Sequence, residues 1–373
     1  MSEQKKLLAC DGGGIRGIIT LQFLRRIESI LREQSGRKTL LLSEYFDYVA
    51  GTSTGAIIAT CVSLGMSVDE IEKFYIESGP AMFSKASFVK RLKYKFVDQA
   101  LARQLKDVIG ATEKLGTKKL KTFLMIVMRN ASTDSPWPLS NNPDAKYNER
   151  TRADCNLNIP LWQLVRASTA APTYFPPEVV TVGEHKFIFQ DGGVTMFNNP
   201  AYQLYTMATL PEYKLEWPTG EDQMLLVSVG TGAAANANAD LKPGQMNLLY
   251  QAGTIPSALM YAAQVHQDLL CRIQGKCIAG DKIDNEIGDL VNPVASHLGR
   301  QFTYARYNVE LDAKGLNALK ITQKELKEIG VDSIEPEEVQ QLDSVDHIAE
   351  MKLVGAKAAE LKVKAEHFSG FPA

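Results

Sequence analysis

Three short stretches of this chain set chemically capable groups among glycines. In Gly51-Thr52-Ser53-Thr54-Gly55, Ser53 lies in G-x-S-x-G between an apolar run that reads as a strand and one that reads as a helix. There the flanking glycines let the chain reverse sharply and leave the serine hydroxyl projecting at the carboxyl end of the strand, as a nucleophile requires. The helix that follows adds partial positive charge nearby. Asp191, in Phe-Gln-Asp191-Gly192-Gly193, closes a second apolar run. A carboxylate there can reach the mouth of the same sheet as a general base, though Asp-Gly is also a common β-turn. Near the start, Asp11-Gly12-Gly13-Gly14-Ile15-Arg16-Gly17 follows a third apolar run. Its glycines fit the G-x-G-x-x-G of a dinucleotide loop, and they could equally expose N–H groups to an oxyanion during ester cleavage.

The rest of the chain separates these two uses. A dinucleotide loop also calls for an acidic residue roughly 20 positions on, at the end of the next strand. Glu33 falls in an expected helix, and Glu44 and Asp47 come too late or mid-strand. An acyl hydrolase uses all three stretches at once. A Ser–His–Asp triad is the mechanistic rival, and Ser53, Asp191 and His266 have the chain order of an α/β-hydrolase. His266 lies in an expected helix, however, and His185 in an expected hairpin turn; His297, His347 and His367 have no motif around them.

The elements that must position these groups alternate between strand and helix. Residues 6–10, 44–51, 122–128 and 224–230 read as buried strands, apolar on both faces. Ile15, Ile18, Ile19, Phe23, Ile27, Ile30 and Leu31 recur at helical spacing, and 56–65 and 250–275 carry further helical patterns. Ser67 with Glu70 forms a capping box that starts another helix. Residues 179–189 read as a hairpin around Gly183-Glu184, while 130–148 and 235–240 read as polar loops. The alternation implies a mostly parallel sheet between helical layers. After about residue 311 the composition shifts to Lys, Glu, Ala and Leu, which suggests a catalytic domain over 5–310 and a helical appendage, 311–373, packed on it.

Composition narrows the function classes. With 41 Lys and Arg against 43 Asp and Glu, the 373-residue chain lacks the basic excess of a nucleic-acid binder. Cys10, Cys61, Cys155, Cys271 and Cys277 show neither a disulfide framework nor a C-x-x-C pair, so free thiols, a reducing compartment and no metal site are expected. No run approaches the roughly 20 apolar residues of a membrane span, which suggests a cytoplasmic protein that meets a membrane only at its surface. Residues 81–97 mix Phe83, Phe88, Tyr94 and Phe96 with Lys85, Lys90, Arg91, Lys93 and Lys95. Such a segment could rest on an anionic bilayer, or its aromatic residues could simply pack inward.

Together, D11-G-G-G-I-R-G17, G51-T-S-T-G55 and D191-G-G193, with the flanking YFDYVAGTSTGAIIA and RASTAAPTYFPP, resemble the patatin-like phospholipases over roughly residues 5–232. The resemblance implies an α/β fold, a three-layer α/β/α sandwich. It implies Ser53 as nucleophile and Asp191 as its partner in a two-residue dyad. Gly12, Gly13 and Gly14 would form the oxyanion hole with Arg16 close by, and Gly17, Gly51, Gly55, Gly192 and Gly193 would be motif glycines. No cofactor is implied, and the substrate would be a phospholipid, lysophospholipid or related lipid acyl ester. Some bacterial proteins that this chain resembles act in anti-phage defence and are switched on by a cyclic nucleotide. The loop at 130–148 and the tail after 311 are places where such an activator could bind. A homo-oligomer is left open. Two other classes remain: a nucleotide-dependent oxidoreductase and a catalytically silent lipid-binding scaffold.

Overall fold

The computed structural model describes residues 3–83, 94–172, 174–233, 248–292 and 299–373, with backbone alone at 94–99 and 248–257. Nine strands lie in one sheet among these residues: β1 (Lys5–Cys10), β2 (Tyr48–Thr52), β3 (Phe123–Asn130), β4 (Ser135–Ser140), β5 (Glu178–Val182), β6 (His185–Asp191), β7 (Met224–Val229), β8 (Lys276–Ala279) and β9 (Thr303–Tyr307). Their order is β5-β6-β3-β2-β1-β7-β9-β8, with β4 also paired to β3. The strands from β3 across to β8 run parallel, and β4, β5 and β6 add antiparallel pairings at one side.

Twelve α-helices accompany the strands among the described residues: α1 (Gly17–Ser35), α2 (Leu42–Tyr45), α3 (Thr54–Ser63), α4 (Val68–Phe83), α5 (Tyr94–Ile109), α6 (Leu161–Ser168), α7 (Ala201–Thr209), α8 (Leu248–Gln274), α9 (Ala313–Ala318), α10 (Gln323–Glu328), α11 (Pro336–Val339) and α12 (Ile348–Lys362). Alternate residues of one strand enter two separate cores. Leu8 and Cys10 of β1 join Ile18, Phe23, Ile57, Leu101, Leu164 and Met351 from α1, α3, α5, α6 and α12. Leu7 and Ala9 join Ala201, Leu204 and Cys271 from α7 and α8. This is the expected three-layer α/β/α sandwich: covered strands must be apolar on both faces because helices close both. Among the described residues, no helix is long and apolar enough to cross a membrane.

Two local expectations are corrected. Residues 44–51 are not one strand. Glu44 and Tyr45 belong to the single turn of α2, where the Glu44 carboxylate accepts the Leu41 N–H, and β2 begins only at Tyr48. Residues 130–148 are not wholly a loop, since β4 pairs with β3 from Ser135 to Ser140. Pro136 and Pro138 concealed it. They lie two residues apart, so both missing N–H groups belong to the same edge of β4, and an edge strand tolerates proline there. The 179–189 hairpin forms as expected, with Gly183 at φ +61, and Ser67 and Glu70 make the capping box at the start of α4.

The chain after residue 311 contributes to the same core as α1. Met351, Val354 and Ala358 of α12 are buried with Ile19, Phe23 and Leu24. Gly355 packs close to the α1 backbone: a Cβ there would stand 3.0 Å from the Ile19 Cα. Farther along, the Phe371 carbonyl accepts the Tyr45 hydroxyl proton.

Candidate active site

Strand register brings the three stretches together. Cys10 pairs with Gly51 on one side and with Val229 on the other, so β1, β2 and β7 end level. The chain therefore leaves all three at the carboxyl edge of the sheet, where open α/β sheets place their sites. Asp191 arrives by a different route. On β3, Val127 pairs with Thr52 and with Pro138, while the next residue, Met128, pairs with Asp191 and with Trp137. Since β4 occupies one edge of β3 from Met125 to Asn130, β6 must continue the edge that β2 vacates. Residues adjacent on β3 thus set Thr52 and Asp191 next to one another, although the two are far apart in sequence.

The turn at Ser53 is tight. Ser53 has φ 55 and ψ −123, a conformation that costs a non-glycine residue about 1–3 kcal/mol. A Cβ on Gly51 would lie 2.0 Å from the Gly55 carbonyl oxygen, and one on Gly55 would lie 2.2 Å from that of Cys10. Ser168, at the end of α6, braces the turn: its hydroxyl accepts the Ser53 N–H at 2.8 Å and donates to the Val127 carbonyl at 2.6 Å. Two residues on, the Ala170 carbonyl accepts the Asp191 N–H at 3.0 Å.

The Ser53 hydroxyl donates to Asp191 Oδ2 at 2.6 Å, and the Gly193 N–H donates to Oδ1 at 2.7 Å. Both side chains are buried. Burial pushes the Asp191 carboxyl up to about 6, against the hydrogen bonds from Ser53 and Gly193 and the positive field of Arg166. An ordinary aspartate would be a weak base for serine. Desolvation here moves it closer to the operating range of a general base.

The glycine turn is held from outside itself. The Gly12 N–H donates to the main-chain carbonyl of Asn198 at 3.1 Å, and the Ile15 N–H to that of Leu342 at 2.9 Å. Thr231 Oγ1 donates to the Gly12 carbonyl at 3.0 Å. Gly14 has φ +60, and a Cβ on it would strike the Leu342 carbonyl oxygen at 2.2 Å. Among the described residues the N–H groups of Gly13 and Gly14 have no main-chain acceptor, whereas that of Gly12 is engaged. Arg16 is half-buried, and its Nε–H makes a long 3.5 Å contact with the Gly13 carbonyl. Burial lowers its guanidinium to about 10, with Asp11 acting the other way, so it stays charged at neutral pH.

Asp11 is fully buried and paired in fork geometry with Arg306 of β9, at 2.9 Å and 2.6 Å. Arg306 also donates to Ser228 Oγ at 2.8 Å. Burial works to lower the Arg306 guanidinium, but the Asp11 carboxylate outweighs it and holds the group above its ordinary value.

No histidine among the described residues hydrogen-bonds Ser53 or Asp191. His266 and His185 are exposed, His266 on α8 and His185 not in the hairpin turn expected from the sequence but at the first position of β6, paired with Val182. His347 faces Glu338 and Glu350, and His367 meets the Tyr307 hydroxyl. His297 lies outside the described residues, as do 235–240 and 84–93, which hold most of the basic, aromatic stretch. Of that stretch Phe83 is described; it packs inward against Tyr75. Several contributors were not singled out in the sequence: Ser168, Ala170, Asn198, Thr231, Arg306 and Leu342. Of these, Ser168 and Ala170, within RASTAAPTYFPP, and Asn198, seven residues beyond Asp191, lay in stretches that carried a sequence signal.

Comparison with known proteins follows the same residues. The family model described as Patatin-like phospholipase matches residues 8–205, which contain all three stretches. Patatin-17 of Solanum cardiophyllum is 29% identical over 255 residues, 63% of this chain and 62% of that protein. Patatin-T5 of Solanum tuberosum is 28% identical over 252 residues, again 63% and 62%. The chain thus spans less than two thirds of the length of these relatives. Among solved structures, VipD from Legionella pneumophila aligns over 94% of this chain and 67% of that one, with a TM-score of 0.33 and 15% identity.

Proposed function

We propose, from the premise that this chain belongs to the patatin-like phospholipase family, that it hydrolyses acyl esters of membrane lipids through an acyl-enzyme on Ser53. The observation that carries this is the 2.6 Å hydrogen bond from the Ser53 hydroxyl to the buried Asp191 carboxylate, at the sheet edge where the glycine turn emerges. Ser53 Oγ attacks the ester carbonyl carbon as its proton passes to Asp191. The carbonyl oxygen, now negative, is met by the open N–H groups of Gly13 and Gly14. Collapse breaks the ester bond, and the leaving alcohol takes the proton back from Asp191. A water then gives its proton to Asp191 and attacks the acyl-serine; the second tetrahedral state releases the fatty acid and restores Ser53–H.

A phospholipid or lysophospholipid surface is the proposed partner, and the absence of a bound cofactor from these steps follows from the dyad itself. Activation by a cyclic nucleotide remains part of the proposal carried by the resemblance.

The test combines a fluorophosphonate probe with fatty-acid release from phosphatidylglycerol–phosphatidylethanolamine vesicles, with and without cyclic di- and trinucleotides. Labelling is expected at Ser53, with release falling on the order of 10⁴-fold or more in Ser53→Ala and Asp191→Asn and unchanged in His266→Ala. Unlabelled Ser53 together with release that survives Ser53→Ala would sink the dyad. Release indifferent to nucleotides would remove the activator and leave a constitutive hydrolase.

A further inference from the structure

Within the site, one polar side chain has no assigned task. Asn198 is 3% exposed, and its Oδ1 is buried without a hydrogen-bond partner among the described residues. Its place is defined by the glycines around it. Where a Cβ on Gly12 would stand, Asn198 Oδ1 lies at 2.3 Å and Ser53 Cβ at 3.3 Å. Where a Cβ on Gly193 would stand, Asn198 Oδ1 lies at 2.9 Å and Asp191 Oδ1 at 3.0 Å. The carboxamide therefore sits between nucleophile, base and glycine turn. Its Nδ2 donates to no described residue either. The neighbouring Asn199 has a structural duty, since its Oδ1 accepts from the Ala201 N–H and from Ser228 Oγ and ties the chain into α7, although its Nδ2 is likewise buried without a partner among the described residues.

A buried amide oxygen without a partner weakens a fold, and a structural duty does not account for this one. The bond from Asn198 that holds the turn is made by its main-chain carbonyl, which any residue would supply. That same bond engages the Gly12 N–H and leaves the turn one donor short. A half-rotation about the Cβ–Cγ bond exchanges Oδ1 and Nδ2 within almost the same shape, and side-chain amides are competent oxyanion donors.

We propose that the Asn198 carboxamide is a third donor to the tetrahedral oxyanion, its Nδ2–H standing in for the Gly12 N–H. This rests on the acyl-enzyme reading above. In the resting site the amide waits without a partner; as the ester carbonyl becomes an alkoxide, Nδ2–H donates to it alongside Gly13 and Gly14. The gain is confined to the tetrahedral states, so it acts on kcat rather than on substrate affinity.

Two substitutions of nearly equal shape decide the matter in the full-length protein. Asn198→Leu fills the same space without polar atoms. It is expected to keep or raise Tm, to lower kcat about 100-fold with KM within about twofold, and to weaken a trifluoromethyl ketone, whose Ser53 adduct carries the oxyanion, by a similar factor. Asn198→Asp presents only acceptors to the developing charge and is expected to be slower than Asn198→Leu. An Asn198→Leu enzyme within about threefold of wild type, or an Asn198→Asp enzyme that matches wild type, would overturn the assignment. So would a kcat loss in which ketone affinity is unchanged, since that marks a positioning effect. Should either variant fail to fold, the other decides through the same ketone titration. Failure of the acyl-enzyme reading looks different: wild-type activity would then not depend on Ser53.

Discussion

The two sharp turns at the sheet edge are built by opposite means. The elbow at Ser53 is mostly a local device, with the Ser168 hydroxyl and the Cys10 carbonyl as braces from outside it. Gly51 and Gly55 crowd each other and the adjacent Cys10 carbonyl, and the turn is complete within five residues. The glycine turn at 11–17 has an equally defined shape but draws its restraints from Asn198, Thr231, Arg306 and Leu342. A turn that presents a side chain can be fixed largely by sterics. A turn that must keep backbone N–H groups unbonded has to be held by everything except those groups, and so depends on distant segments. The difference teaches where each turn is vulnerable: the elbow to its own residues, the glycine turn to residues remote in sequence.

Gly55→Ala should break both turns together, because its methyl would meet the Cys10 carbonyl oxygen at 2.2 Å. We expect a loss of 3 kcal/mol or more, roughly the upper range of overpacking, and no detectable labelling of Ser53. Chemical denaturation and probe labelling measure the two effects. Retention of near-normal stability would mean that the elbow relaxes more easily than its crowding suggests.

Arg306→Met should separate the two turns. It leaves the Asp11 carboxylate buried and unpaired, at a cost of about 3–5 kcal/mol, and loosens the glycine turn while the elbow keeps its local restraints. Below the melting range, Ser53 should still be labelled, though slowly, while ester turnover collapses. Removing both charges, Asp11→Asn with Arg306→Gln, should restore much of the stability. If the double variant is no more stable than Arg306→Met, the ion pair is not what holds the turn.

Asp191 couples the site to pH. Its folded-state carboxyl is raised from 3.8 to about 6, so the native chain holds the proton more tightly than the unfolded chain. The stabilisation from the protonated form is present below about pH 4 and is lost as pH rises through 6. Asp191→Asn should therefore be similar in stability to wild type near pH 4 and more stable by on the order of 2 kcal/mol near pH 7. Wild-type kcat/KM should fall about tenfold per pH unit below 6. A rate flat from pH 5 to 8 would show that the Asp191 carboxyl is not raised to about 6 in the working enzyme.

The smallest effect belongs to a tie between α12 and α4 that joins a partly exposed lysine to a buried glutamate held by two further partners. Lys352 pairs with Glu72, which also receives Arg25 and Gln22. Lys352→Met should cost under about 1 kcal/mol with kcat unchanged. A marked kcat loss would show that the Leu342 end of the glycine turn is sensitive even to this remote contact.

Much of the site was legible before any coordinates. Ser53, Asp191 and the glycines lie in stretches whose residue types are dictated by local sterics, and such constraints leave a mark within five to seven residues. Strand periodicity likewise revealed a covered sheet. The prolines of β4 hid a strand, because edge tolerance depends on a neighbour that local sequence does not name. The elevated Asp191 carboxyl was not legible, since its ordinary value shifts only when the surrounding layers exclude water.

By itself the sequence marked Ser53 and Asp191 as the residues of the proposed dyad, the turns that carry them and the alternation that makes a layered α/β domain, because these stretches bear the imprint of short-range geometry. Only the tertiary structure decided that the Gly12 N–H of the glycine turn is engaged, that Arg306 neutralises Asp11, that Leu342 from the far end of the chain closes the turn, and that Asn198 enters the site. Those depend on strand register and on packing between segments hundreds of residues apart, and no local pattern records them.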